Sequence, residues 1–341
     1  MLTATAELDC LFKSNYPKQY VAYKLPGDIV IDGILNDRSW ESVPFTDDFV
    51  DISTLNTPQF KTKAKIRWDD AFVYIGAILE EPNVWANISH TCHCNTTEDD
   101  QVIYHDNDFE VFVDPDGDTH NYKEYEMNAY NATWDLLLNA PYSDGGYENS
   151  SRVLGQEGFE MQPPLFAQVY IDGDDDGNGL INNPEANTKY WSVEIALPID
   201  KLMYNESPNA GIMKKPNAFW RINFSRVEWN VTVVDGKYVK TPCCQSCEIP
   251  VTAAEDNWVW SPQQQVNMHA PETWGFLQFS DATEPSKDSG GHGDDMIYND
   301  EWPIRSIAMI VYYAEHSYIS SANNGDGGLY TASLEILNQY A

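Results

Sequence analysis

From residue 20 to residue 279 the chain runs in short stretches of alternating apolar and polar residues, separated by Gly, Asn, Asp and Pro. Lys61, Lys63, Lys65 and Arg67 interleave with Thr62, Ala64, Ile66 and Trp68, a period of two that reads as a strand with one wet face. The same criterion predicts strands over residues 73–79, 109–114, 122–130, 133–138, 166–171, 190–197, 219–229 and 275–279. Helical spacing in this region is confined to turns near residues 37–40 and 198–203. The pattern predicts an all-β fold, an antiparallel β-sandwich of Ig-like or jelly-roll-like type with long loops. Residues 280–295 are rich in Gly, Asp and Ser and read as a linker. Beyond it, Ile304, Ile307, Ala308, Val311 and Tyr312 are spaced for a helix over 302–321, with Pro303 suited to its first turn. A second short helix is expected over 329–340. The expected organisation is an N-terminal segment 1–19, a β-sandwich domain 20–280, a linker 281–298 and a helical tail 299–341.

Charge narrows the function. Of 341 residues, 20 are Lys or Arg and 53 are Asp or Glu, a formal net charge of −33. Such a surface repels phosphate backbones and anionic headgroups, which argues against nucleic acid as a partner and against a polybasic membrane anchor. With 42% hydrophobic residues the chain still has enough apolar surface to fold. No run approaches the roughly 18 apolar residues of a transmembrane segment, and residues 1–20 show no export leader. Seven Asn-x-Ser/Thr sequons, at Asn87, Asn95, Asn131, Asn149, Asn205, Asn223 and Asn230, are roughly twice the chance number and point to an extracellular or secreted glycoprotein. Six cysteines, Cys10, Cys92, Cys94, Cys243, Cys244 and Cys247, fit that compartment. Disulfides between the two clusters are favoured over a zinc site built from His90-Thr91-Cys92-His93-Cys94 and Cys244-x-x-Cys247.

Several segments resemble, in order, the family 9 carbohydrate-binding modules and their DOMON-like relatives. Ile31-Asp32-Gly33-Ile34-Leu35-Asn36-Asp37-Arg38-Ser39-Trp40 resembles the family's opening, and Trp68-Asp69-Asp70-Ala71-Phe72-Val73-Tyr74-Ile75 a strand pair. Asn107 to Asp118 with Tyr125-Glu126-Met127-Asn128 is similar to the central hairpin, and Trp220 to Glu228 to a late strand. Trp260-Ser261-Pro262 and His269-Ala270-Pro271-Glu272-Thr273-Trp274-Gly275 are similar to the closing motif. The resemblance spans about residues 20–280. It implies a β-sandwich that binds an oligo- or polysaccharide without turnover, in support of polysaccharide degradation or adhesion.

A pyranose offers apolar C–H faces and a rim of hydroxyls, so its site needs exposed rings beside polar groups. Alternation over 220–225 turns Trp220, Ile222 and Phe224 to the core and Arg221, Asn223 and Ser225 away from it. Arg221 and Asn223 are therefore candidate hydroxyl partners, and Arg226, with Trp229, follows on the loop side as a further candidate. Trp229 and Trp260 lie where the resemblance implies a stacking ring, and His269 belongs to the closing motif, although a His in such a turn commonly locks the loop. Asn223 is in conflict with its own sequon, because a glycan there would cover the same face.

Asp174-Asp175-Asp176-Gly177-Asn178-Gly179-Leu180-Ile181-Asn182-Asn183-Pro184-Glu185 has the spacing of a twelve-residue calcium loop. Asp174, Asp176, Asn178, the Leu180 carbonyl and a bidentate Glu185 would supply the oxygens. Asp114, Asp116 and Asp118 repeat the alternation with Thr119 where Gly is wanted. Two further classes compete with simple binding. A DOMON-type haem-binding redox domain would need axial ligands, for which Met127 and His269 are available. A glycoside hydrolase would need two carboxylates from Glu110, Asp114, Glu124 and Glu126 about one bond.

Overall fold

The computed structural model describes residues 16–89, 101–161, 166–173, 179–206, 219–241, 254–286 and 296–322. The chain divides into two compact units, Pro17–Met296 and a second made of Met1–Tyr16 with Ile297–Ala341.

The described strands of the first unit are β1 (Gln19–Lys24), β2 (Val50–Asp51), β3 (Thr62–Trp68), β4 (Phe72–Glu80), β5 (Asp108–Asp114), β6 (Tyr122–Asn128), β7 (Thr133–Leu138) and β8 (Glu148–Asn149). They continue as β9 (Ala167–Ile171), β10 (Tyr190–Pro198), β11 (Phe219–Glu228), β12 (Val231–Val234), β13 (Lys237–Lys240), β14 (Asp256–Val259) and β15 (Gly275–Ser280). Eleven lie along one path, β8-β7-β6-β5-β11-β15-β1-β3-β4-β10-β9, with β14 beside β11 and β2 beside β14; β12 and β13 form a separate hairpin. The expected all-β sandwich is present. Its sheet is mixed at one seam, because β1 runs parallel to both β15 and β3.

The sheet curls so that its two halves close on one core. From one half come Ala64, Ile66 and Trp68 of β3 and Trp191, Val193 and Ile195 of β10. From the other come Phe109, Val111 and Val113 of β5 and Trp220, Ile222 and Phe224 of β11. These are alternate residues, as pleating requires. The face of residues 61–67 expected to be wet is exposed at Lys61 and half-buried at Lys63, but covered at Lys65 and Arg67. The short helix Arg38–Glu41 lies against it, Lys65 Nζ donates to the Trp40 carbonyl, and fully buried Arg67 donates to the carbonyls of Ser39, Lys24 and Thr283.

The opening motif is held down by β10. Glu194 Oε2 accepts the N–H groups of Asp32 (2.9 Å) and Gly33 (3.0 Å), and its Oε1 accepts Trp40 Nε1–H at 2.7 Å. Gly33 has φ +85°, and a Cβ there would stand 2.6 Å from the Tyr170 nitrogen, so no other residue fits.

In the second unit a helix spans Trp302–Ala322, where the spacing predicted one. Tyr16 accepts the Asn299 N–H at 2.7 Å, and its ring lies 5.2 Å from that of Trp302. The helix expected over 329–340 falls outside the described residues. Among the described residues no helix is long and apolar enough to cross a membrane.

Candidate functional site

The face of β5, β6, β7 and β11 turned away from the main core carries a second set of alternate residues. Strand register places Ser225, Glu110, Glu126 and Trp134 in one row and Asn223, Phe112, Glu124 and Leu136 in the next. Ile103, Phe112, Tyr122, Leu136 and Trp274 pack together on this side. Beside this layer a cavity of about 570 Å³ opens, floored by Glu110, Glu124, Glu126 and Trp134 and rimmed by Tyr104, His105, Tyr142, Arg152, Asn257 and His269.

The floor is acidic and buried. Burial, followed by mutual repulsion, pushes the carboxyls of Asp108, Glu124 and Glu126 well above the ordinary carboxylate range. Burial likewise raises Glu110, to about 7. Glu126 Oε2 accepts the Tyr104 N–H at 3.0 Å, tying the rim loop to the floor. The rim supplies rings. Tyr104 and Tyr142 are 39% and 46% exposed. Tyr142 stands edge-on to the imidazole of His269 at 4.6 Å, and His269 Nδ1 lies 3.0 Å from the Tyr122 hydroxyl. Burial lowers the His269 pKa to about 4, so the ring is neutral at physiological pH. Trp134 is sandwiched from one side by the Arg152 guanidinium, 5.1 Å from its centre, and Arg152 is itself paired with Glu148.

The segment that builds most of this cavity has a recognisable sequence. Residues 31–154 match the family described as carbohydrate family 9 binding domain-like. Over this stretch the chain is family 9-like. No curated protein matches the chain. Among solved structures, one from Bacteroides uniformis, provisionally described as a carbohydrate-binding protein, is 16% identical, with a TM-score of 0.47 over 77% of this chain and 100% of its own. A family 9 carbohydrate-binding module from Caldicellulosiruptor kristjanssonii, solved with cellotriose, is 15% identical with a TM-score of 0.41 over 83% of this chain and 100% of its own. The glucose complex of a family 9 module from the same organism, at the same identity and coverage, gives 0.40.

Within the family 9-like segment lie Tyr104, Glu110, Glu124, Glu126, Trp134, Tyr142 and Arg152 of the cavity. Of the six residues proposed from sequence to meet sugar, His269 lines it. Arg221 does lie on the same face as Glu110, but it is buried, with its Nη1 donating to the Trp274 carbonyl at 2.7 Å and its guanidinium 3.8 Å over Phe276. Asn223 is fully buried, its Nδ2 donating to the Ser261 carbonyl at 2.8 Å and its Oδ1 accepting the Ser261 N–H at 2.9 Å. Arg226 points into the sandwich between Glu81 and Glu228, each at 2.8 Å. Trp260 belongs to the main core at 1% exposure. Trp229 is half-buried; its Nε1–H donates to the Tyr104 carbonyl at 2.9 Å and Lys240 Nζ sits 3.3 Å over its ring, so it braces the rim loop.

Of the calcium loop, Asp174, Asp176 and Asn178 lie outside the described residues. Leu180 packs on the core and Glu185 is exposed. At the other acidic turn, Asp114 accepts the N–H groups of Gly117 and Thr119, both at 2.9 Å. Asp114 and Asp116 are grouped with Glu206, not Asp118, and Glu206 is paired with buried Lys123. All six cysteines, with His90 and His93, lie outside the described residues. The haem pair is not assembled: Met127 is in the main core, whereas His269 packs on Phe112 and Tyr122 across the sheet.

Sequence reasoning missed Tyr104, Trp134, Tyr142, Arg152 and Asn257. Tyr142 had a usable signal. It is an aromatic in a Pro141-Tyr142-Ser143-Asp144-Gly145 turn, where no strand buries it.

Proposed function

We propose that the chain binds an oligo- or polysaccharide in the cavity over β5, β6 and β7, without turnover. The observation that carries this reading is the conjunction, largely within the family 9-like segment, of half-exposed rings and inward-facing carboxylates about one cavity. Tyr104 and Tyr142 would stack on the C–H face of a sugar ring, and Asn257 and neutral His269 would take hydroxyl hydrogen bonds. The two Caldicellulosiruptor kristjanssonii structures, solved with cellotriose and with glucose, make those two saccharides the first ligands to try. A glycan array followed by isothermal titration, with calcium present, tests the reading. Saturable binding of at least one saccharide is expected, and no binding to any would overturn it.

The remaining expectations belong to the same proposal. Calcium at the Asp174 loop would secure the β9–β10 connection, and the loop spacing supports it. An extracellular setting is supported by sequon residues Asn87, Asn205 and Asn230, which are exposed.

A further inference from the structure

Saccharide binding leaves one part of the cavity floor without an explanation. Asp108, Glu110, Glu124 and Glu126 are each 4% exposed or less, and among the described residues none of them is ion-paired with a Lys or Arg. Four carboxylates cannot be ionised together in a buried site without a counter-charge. Carboxyl oxygens of Asp108, Glu110 and Glu126 lie within 4.8 Å of one another. Oxygens that each stand about 2.4 Å from a common ion are at most about 4.8 Å apart, so the three carboxyls meet the spacing that one shared ion of calcium size requires.

An acidic cluster alone would be explained by shared protons. Asp108 supplies a second observation. Its Oδ1 accepts the Val227 N–H at 3.0 Å, which fixes the carboxyl plane, while its Oδ2 is buried with no donor among the described residues. The side chain is fully enclosed, so water does not meet that oxygen from bulk. A protonated neighbour would satisfy one oxygen, whereas a cation would neutralise the carboxyl together with both glutamates. The donors are all carboxylate oxygen, which selects a hard ion over zinc or copper.

We propose that Asp108, Glu110 and Glu126 hold a hard divalent cation of the calcium class at the floor of the cavity. The ion would reduce the charge of the three ligands from −3 to −1 and join β5 to β6 where Glu110 faces Glu126. It is distinct from the loop at Asp174, which lies on the β9–β10 connection, and it does not depend on whether a sugar binds.

The test uses the full chain, stripped with chelator, dialysed and titrated with calcium by isothermal calorimetry. Wild type, Asp174→Asn, Glu110→Gln, Glu126→Gln and Asp174→Asn/Glu110→Gln are compared, with near-ultraviolet circular dichroism to verify folding. Asp174→Asn is expected to retain one calcium that Asp174→Asn/Glu110→Gln has lost, and Glu126→Gln to bind one fewer than wild type. Melting gives a readout with its own sign. In chelator Glu110→Gln should melt above wild type, because a buried uncompensated carboxylate has gone, and calcium should raise the melting temperature of Asp174→Asn but not of the double variant. Asp174→Asn protein that binds neither calcium, magnesium nor manganese overturns the assignment and leaves protons as the counter-charge. A calcium stoichiometry unchanged by both Glu110→Gln and Glu126→Gln overturns it equally.

Discussion

Replacing Arg226 by Met should unfold the sandwich at a much lower temperature and should not act through the cavity. Arg226 is fully buried on β11 and spans the core. Its Nη2 meets Glu81 and Glu228 at 2.8 Å, its Nη1 donates to the Glu80 carbonyl at 2.9 Å and to Thr62 Oγ1 at 3.1 Å, and its guanidinium lies 5.0 Å over Trp258. One cation thus ties β11 to β3 and to the end of β4. Burial, and then Glu81, already push the Glu228 carboxyl well above its ordinary range despite the guanidinium. Met removes the counter-charge and strands both acids in a site of almost no exposure. Breaking a buried pair from one side costs about 3–5 kcal/mol. For a domain of this size each kcal/mol lowers the melting temperature by roughly 2–4 °C, so a fall of roughly 6–20 °C is expected. Scanning fluorimetry or circular dichroism reads it directly. Adding Glu81→Gln and Glu228→Gln should restore part of the loss, since the stranded charges go with the cation. A fall below about 2 °C accompanied by lost glycan affinity would refute the reasoning and place Arg226 at the ligand after all.

Other outcomes follow from the same geometry. Tyr142→Ala should weaken saccharide binding by about tenfold, the order of one lost ring contact, while leaving the melting temperature within about 2 °C, because the ring is half exposed; titration and fluorimetry together check this. His269, whose pKa falls from 6.5 unfolded to about 4 folded through burial, contributes stability that is complete above pH 6.5 and is lost as the pH drops towards 4. His269→Gln should flatten that limb of the stability profile in urea titrations at successive pH values. Expressed in a glycosylating host, the protein should carry no glycan at Asn223, whose amide is enclosed against Ser261, and peptide mass spectrometry would detect the contrary. Chelator should lower the melting temperature of wild type, and Asp174→Asn should reduce that sensitivity if the loop holds calcium.

Strand periodicity was legible because pleating imposes it irrespective of what covers each face. The alternation over 61–68 located β3, and the spacing over 302–321 located the terminal helix. Solvation was not legible. Lys65 and Arg67 read as a wet face because the helix at Arg38–Glu41 that buries them comes from another part of the chain. The same blindness affected β11, where Arg221 and Asn223 were assigned the correct side but are enclosed by the loop holding Ser261 and Trp274. Trp260 and Trp258 look identical to exposed platforms in a sequence, yet both fill the core. The cavity itself depends on which loops meet above β5–β7, and Tyr104, Tyr142 and His269 are brought there from segments far apart. β1 escaped notice because one strand at the start of the domain carries no mark of the parallel partners it will take.

That seam also sets the order in which the molecule can be made. Gln19 pairs with Phe276, and Tyr23 with Arg67, so β1 bridges the earliest long strand and the last. A ribosome must therefore release residue 280 before the sheet can close. Until then β1 presents an unfilled edge on the side away from β3, and β11 waits for β15 on its other side. Unfilled edges pair with neighbouring chains, and long-range closure is slow. The nascent chain is thus most vulnerable to aggregation while the residues between the end of β11 and the end of β15 are being made, on the order of seconds at ordinary elongation rates. Any truncation that removes β15 leaves a chain that cannot finish folding, however intact its cavity residues.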